Sequence, residues 1–128
     1  MARGNRDLDL GVVLALVGAT LALYGQTWGF DFVLSDDTKY VTSNPWVKAG
    51  LSPAGFRWAF TTSHGSNWHP LTWLSLMLDA QLYGSGPAGF HATNVLLHTL
   101  AVLLFYGLLR RTTGRAWPAA FTRLSGAP

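Results

Sequence analysis

Two adjacent carboxylates, Asp36 and Asp37, are the strongest candidates for chemistry in this sequence. They lie among apolar and aromatic residues, in the string FDFVLSDDTKYVTSNPWV. Near an apolar surface a carboxylate can act as a general base, or it can coordinate a divalent cation. Successive residues point in different directions, so at most one of the two would face a substrate. The alternative is a solvated turn, or a helix N-cap before Thr38.

A second candidate is His69, which directly precedes Pro70 in the string SNWHPLTW. Proline favours the first turn of a helix, where backbone N–H groups lack partners and can bind an anion such as phosphate. His69 would add a hydrogen bond or a positive charge to such a site. The other interpretation is that His69 caps the helix and that Trp68 and Trp73 anchor it at a membrane surface.

A third candidate is the polar set His91, Asn94 and His98. Offsets of three and seven residues place the three side chains on one helical face. Inside a membrane span, polar side chains turn toward protein or a water-filled cavity rather than lipid. The set therefore indicates either contact with a lipid phosphate or substrate, or hydrogen bonding between helices. The sequence contains no nucleotide-binding, metalloprotease or serine-hydrolase motif.

Two uncharged runs must position these residues. Residues 10–30 and 87–109 carry no charged side chain. At about 1.5 Å per residue, each run is about 30 Å long as a helix, which matches the core of a bilayer. We expect transmembrane helices at 10–30 and 87–109 and an extracytoplasmic loop at 31–86. A cleaved signal peptide is the alternative for the first run, although acidic residues spoil its basic leader.

Composition favours the same class of protein. Charged residues make up 12% of the chain, about half the share of a soluble domain, and hydrophobic residues make up 49%. The absence of Cys excludes disulfides and thiolate chemistry. The Lys and Arg residues concentrate toward the two ends, which predicts cytoplasmic segments at 1–9 and 110–128. They form no patch for nucleic acid, so none is expected as a partner.

The loop contains four of the six Trp residues. Pro53 predicts the start of a short helix that ends near Phe60, and Pro70 predicts a second helix that runs to Tyr83. One apolar stripe at helical spacing predicts that this second helix lies along the membrane surface. The stripe consists of Leu71, Leu74, Leu78 and Leu82. The expected fold class is an all-α membrane protein, with two transmembrane helices flanking an outward loop that contains short interfacial helices.

Taken together, three segments resemble the amino-terminal part of a family of membrane glycosyltransferases in the GT-C superfamily. Members carry tetratricopeptide repeats and are similar to O-mannosyltransferases that depend on dolichyl-phosphate mannose. The resemblance covers about residues 29–114. It is carried by the strings DFVLSDDTKYVTSNPWVKAGLSPAGFRWAFTT, SNWHPLTWLSLMLDAQLYG and GFHATNVLLHTLAVLLFYGLLRRTTG.

The resemblance implies roles for five residues. Asp36 and Asp37 match an acidic motif that provides the general base for an acceptor hydroxyl, or a metal contact. His69 matches the family's loop helix beside the donor site, and His91 and Asn94 match the polar entry to the second span; all three are expected to bind the donor. The implied partners are membrane lipid, a sugar on a polyprenyl phosphate and a protein acceptor, and a divalent cation would be the cofactor of such a metal contact. The expected location is a bacterial inner membrane.

GT-C enzymes use many membrane spans, whereas this sequence offers two. We therefore expect an amino-terminal fragment that is inactive alone. The alternative is a small two-span membrane protein that acts in binding or assembly and has no catalytic activity.

Overall fold

The computed structural model describes residues 2–113, with side chains from residue 7 onward. The rest of the cytoplasmic tail expected at 110–128 lies outside these residues. All regular structure in the described part of the chain is helical, which confirms the all-α fold class. The five α-helices are α1 (Ala2–Tyr24), α2 (Pro45–Lys48), α3 (Pro53–Thr61), α4 (Pro70–Tyr83) and α5 (Pro87–Thr113).

Two segments are long and apolar enough to cross a membrane, as the sequence predicts. The first is Asp7–Gly29, in which α1 is followed by a tight 3-10 turn at Gly25–Gly29. The second is α5, which continues past residue 109 through two arginines. Positive charge in the last turn favours helix continuation, because it interacts well with the carbonyl end of the helix dipole.

The described residues divide into two compact units. The hairpin unit comprises residues 2–25 and 95–113, and the loop unit comprises residues 26–94. The first turns of α5, up to Asn94, therefore belong to the loop unit and the remainder of that helix to the hairpin unit.

Side chains at two levels connect the helices of the hairpin unit. At one level, Arg110 donates two hydrogen bonds to Asp9, at 2.8 and 2.9 Å, and the Tyr106 hydroxyl donates a third at 2.7 Å. At the other level, the rings of Tyr24 and His98 meet edge to face at 4.8 Å. Since residue 9 meets residue 110 while residue 24 meets residue 98, the two helices run antiparallel.

The loop unit has a hydrophobic core of its own. Helices α2 and α3 both pack against α4, and Trp73 and Met77 of α4 are fully buried there. Local capping starts the shorter helices: Ser52 Oγ accepts a hydrogen bond from the Gly55 amide ahead of α3. The buried core residues are Val41, Val47, Ala59, Trp73, Met77 and Phe90.

Helix α4 begins and ends where the sequence predicts. Pro70 occupies its first turn, and Gly84 ends it with a φ of 72°, a conformation that favours glycine. Its predicted Leu stripe is largely exposed, with Leu71 at 74% and Leu82 at 61% exposure. Trp73 and Met77 of the same helix are fully buried in the core, so the interpretation of Trp73 as a membrane-interface anchor is wrong. Helix α4 therefore carries apolar side chains both in the core and on its exposed surface.

Candidate functional site

The two adjacent carboxylates have different surroundings. Asp37 Oδ2 accepts a hydrogen bond from the Val33 amide at 2.8 Å, which closes a turn. A single π-helical turn at Thr38–Thr42 follows, and the Asp37 side chain does not cap it. Asp36 is exposed and makes no hydrogen bond with the described residues. Asp37 therefore holds the backbone of the turn, while the Asp36 carboxylate remains exposed.

Aromatic contacts fix the segment that carries this acidic pair on both sides. Before the pair, the Phe32 ring packs edge to face on Phe90 at 5.5 Å and lies 6.3 Å from the His91 ring. After the pair, Tyr40 stacks on Trp73 at 4.9 Å and lies 5.4 Å from the His69 ring. The acidic segment is thus attached to both helices that carry the predicted histidines.

His69 occupies the N-cap position of α4, but its side chain makes no capping hydrogen bond. The interpretation of His69 as a side-chain cap is therefore wrong. Its ring packs edge to face on Trp73 at 4.8 Å, and its Nε2 atom is buried without a partner among the described residues. The amides of Leu71 and Thr72 also have no hydrogen-bond partner in that part of the chain. The amino end of α4 therefore keeps donors available for an anion.

The polar set on α5 (His91, Asn94 and His98) is divided between the two units of the structure. His91 is half-buried, with an Nε2 atom that has no partner among the described residues, and Asn94 is exposed. His98 lies in the hairpin unit, where it contacts Tyr24. His91 and Asn94 thus share the loop unit with the acidic pair, whereas His98 connects the two long helices.

Sequence reasoning missed a buried carboxylate on α4. Asp79 is only 4% exposed, and its Oδ1 atom accepts a hydrogen bond from the Thr93 hydroxyl of α5 at 2.6 Å. Burial raises the pKa of Asp79, and the Thr93 hydrogen bond partly opposes this rise. The signal in the sequence was an isolated acid in an otherwise uncharged helix, but its spacing predicted a position away from the apolar stripe.

His64 was likewise missed, because nothing near it in sequence suggests a role. In the structure its Nε2 atom lies 3.3 Å from the Lys39 carbonyl, and its ring meets Trp73 edge to face at 5.5 Å. The next residue, Gly65, has a φ of 72°, and a β-carbon there would lie 2.9 Å from the Tyr40 hydroxyl. His64 therefore joins the aromatic cluster that supports the acidic segment.

Metal ligands are sparse in the described residues. Within residues 2–113, no group of three or more His, Asp or Glu side chains could hold a metal ion. A cation at Asp36 would therefore need oxygen ligands from water or substrate in addition to those of the protein.

The described residues are all-α, with two helices of membrane length and a compact helical unit between them in sequence, which is the fold class of a membrane protein. Protein O-mannosyl-transferase TMTC1 of Mus musculus is 36% identical to it over 106 residues, a match that covers 73% of this chain and 11% of the relative. The human TMTC1 is 35% identical over 114 residues, covering 80% of this chain and 12% of the relative.

A protein O-mannosyl-transferase of Caenorhabditis elegans is 30% identical over 113 residues, covering 81% of this chain and 16% of the relative. The chain is related in sequence to the O-mannosyl-transferases of the TMTC1 type, which confirms the resemblance expected from its motifs. It spans about a tenth to a sixth of the length of these relatives. No family model and no solved structure matches the chain.

Proposed function

We propose that this chain belongs to a membrane glycosyltransferase of the GT-C type, which transfers a mannose-like sugar from a polyprenyl phosphate to a protein hydroxyl. Its relationship to proteins named O-mannosyl-transferases supports the sugar and the class of acceptor. The observation that carries the chemistry is the exposed Asp36, beside a neighbour that holds the turn.

Asp36 acts as the general base in this proposal. It accepts the proton of a serine or threonine hydroxyl as the hydroxyl oxygen bonds to the anomeric carbon of the sugar. The bond from that carbon to the phosphate oxygen breaks, and the polyprenyl phosphate leaves with the electron pair. Attack from the face opposite the leaving group inverts the anomeric configuration. Asp37 positions Asp36 through its hydrogen bond to Val33.

The donor phosphate is assigned to the amino end of α4. The amides of Leu71 and Thr72 lack partners in the described chain, and the positive end of the helix dipole favours an anion there. His69 adds a ring nitrogen beside these amides. His91 and Asn94 are the remaining donor contacts, since both lie at the start of α5 within the same unit.

The membrane arrangement is part of the proposal. Both termini lie in the cytoplasm of a bacterial cell and the loop unit faces outward across the inner membrane, because the Lys and Arg residues concentrate toward the chain ends. Two spans cannot surround a lipid-linked sugar, so transfer requires membrane helices in addition to α1 and α5. On this account the 128-residue chain alone transfers no sugar.

The direct test is a transfer assay on the full-length protein that contains this chain, embedded in membranes. Radiolabelled mannose should pass from mannosyl polyprenyl phosphate to a peptide with serine and threonine, and alkaline release should return it from the peptide. The same label on GDP-mannose should not pass in membranes that lack a synthase for the lipid donor. Transfer from GDP-mannose alone, or no transfer from either donor, contradicts the proposal and favours a binding or assembly role.

A further inference from the structure

An open groove of about 480 Å³ lies between α3 and the side chain of Trp46 on α2. The contributing residues of α3 recur at intervals of one, three and four, so they form one continuous face of that helix. No residue with a role in the proposed transfer lines this groove. Its walls are Trp46, Pro53, Ala54, Arg57, Trp58 and Thr61.

A rigid aromatic platform forms one side of the groove. The indole rings of Trp46 and Trp58 stack at 5.7 Å with an angle of 17° between their planes. Trp58 also packs edge to face at 5.1 Å on the fully buried Trp73, which fixes the pair to the core. Trp46 remains 37% exposed. Since the rings are already ordered, a ligand that packs on them pays little for immobilising them.

The groove carries one positive charge, and no acidic residue of its lining neutralises that charge. Arg57 is exposed, and its guanidinium makes no ion pair or hydrogen bond with the described residues. None of the lining residues is acidic. A guanidinium donates two parallel hydrogen bonds to a carboxylate, and it does so best beside an aromatic surface that excludes water.

We propose that this groove binds an extended, acidic segment of the acceptor polypeptide. The inference rests on the proposed function, because it assigns the groove to the acceptor of that transfer. From Pro53 to Thr61 the helix rises by about 12 Å, which accommodates three or four residues of an extended chain. The groove is open to solvent rather than enclosed, so an extended polypeptide has access to it. Tryptophan and arginine are also the residues that contribute most energy to protein recognition.

Peptide binding in the absence of any sugar donor tests this inference. The full-length protein in lipid nanodiscs would be titrated with a fluorescent peptide of serine, threonine, aspartate and glutamate, and with its counterpart in which amides replace the acids. The acidic peptide should bind about tenfold more tightly, a difference worth about 1.4 kcal/mol. Arg57→Gln should abolish this preference, and Trp46→Ala should weaken the binding of both peptides.

Lys48→Gln is the matched control, because Lys48 is an exposed cation on α2 that does not line the groove. The Lys48→Gln variant should prefer the acidic peptide as strongly as the parent protein does. Arg57→Gln alters only an exposed side chain, so it carries the test even if Trp46→Ala fails to fold. Intrinsic tryptophan fluorescence would show whether each variant keeps its core.

Three results would overturn the inference: equal binding of the two peptides, an unchanged preference in Arg57→Gln, or groove-dependent binding of a mannose oligosaccharide instead of the peptide. The binding assay is independent of transfer. A protein that prefers the acidic peptide through Arg57 but transfers no sugar would contradict the proposed function and leave the peptide groove intact. A protein that transfers sugar but shows no preference for the acidic peptide would contradict the peptide groove and agree with the proposed function.

Discussion

The hairpin unit exposes its apolar side chains, whereas the loop unit buries a core of its own. In the most apolar stretch of each long helix, 6% of the residues are buried in α1 and none in α5. In the loop unit, by contrast, Trp73, Met77 and Val47 are fully buried. The same residue types thus have two kinds of surroundings: the leucines of the hairpin unit stay exposed on helices of membrane length, and protein covers the aromatic core of the loop unit.

The polar contacts of the two units differ in the same way. In the hairpin unit, the Asp9–Arg110 pair connects two helices whose remaining surface faces outward, and both side chains stay about a quarter to a third exposed. In the loop unit, Asp79 is buried and has a neutral hydroxyl as its partner. A charge pair therefore connects the two long helices of the hairpin unit, while a single buried acid connects two helices within a protein core.

The strongest test of this difference between the two units is to determine the location of each relative to the membrane. The chain has no cysteine, so Ser43→Cys in the loop unit and Thr112→Cys at the end of α5 each introduce a single thiol. On intact cells an impermeant maleimide should label the first variant and not the second, because the charge distribution predicts that the loop unit faces outward. Both variants should react after the cells are opened. Labelling of Thr112→Cys alone would reverse the orientation, and equal labelling of both would exclude the spanning hairpin.

Removal of a large core side chain should affect only the loop unit. Trp73→Ala should lower the unfolding free energy of this unit by about 3–5 kcal/mol, because it leaves a cavity among stacked rings. Leu104→Ala is the control, since Leu104 is 74% exposed and should cost little where lipid replaces the lost contact. Limited proteolysis at increasing denaturant measures both variants. Equal losses would mean that the loop unit has no independent core.

Loss of the charge pair should affect the hairpin unit instead. Arg110→Gln and Asp9→Asn should each destabilise helix association, and the two losses should not add in a double-mutant cycle, because each variant breaks the same pair. Arg111→Gln is the matched control, because Arg111 is the adjacent, exposed residue and makes no ion pair in the described chain. Thermal unfolding in detergent gives the stabilities of the parent protein, the two single variants and the double variant. Strictly additive losses would show that the pair contributes nothing as a pair.

The smallest expected effect is the pH dependence caused by Asp79. Its pKa is raised above 3.8 in the folded protein because burial disfavours the charged form. The unfolded chain therefore loses its proton first as pH rises, and the loop unit should lose stability from about pH 4 up to the folded pKa. Asp79→Asn should remove this contribution and keep the acceptor oxygen for Thr93. A pH profile of Asp79→Asn identical to that of the parent protein would contradict the assignment.

Local signals made parts of the fold predictable from sequence. Pro53 and Pro70 mark the starts of α3 and α4, because proline at the first helical position loses no hydrogen bond. The two uncharged runs indicate the long helices, because length and hydrophobicity alone define a membrane span. Such features depend on neighbouring residues and need no knowledge of packing.

The burial of α4 and the extra members of the site were not predictable in that way. Trp73 and Leu71 are both apolar, and only the packing of α2 and α3 decides that Trp73 is buried and Leu71 exposed. Asp79 is buried because Thr93, fourteen residues later, approaches it. Asp36 and Asp37 were predicted as a pair, but spacing alone does not indicate that Asp37 is the one held by a hydrogen bond from the Val33 amide.

Replacement of the two carboxylates in the transfer assay tests the central claim most directly. Asp36→Asn keeps the shape of the side chain and removes its basicity, so transfer by the full-length protein should fall by about a hundredfold or more, with expression unchanged. Asp37→Asn should cost less, because an amide oxygen can still accept the hydrogen bond from Val33. Asp31→Asn, the exposed control, should transfer at the rate of the parent. If Asp36→Asn also transferred at that rate, Asp36 would not be the general base.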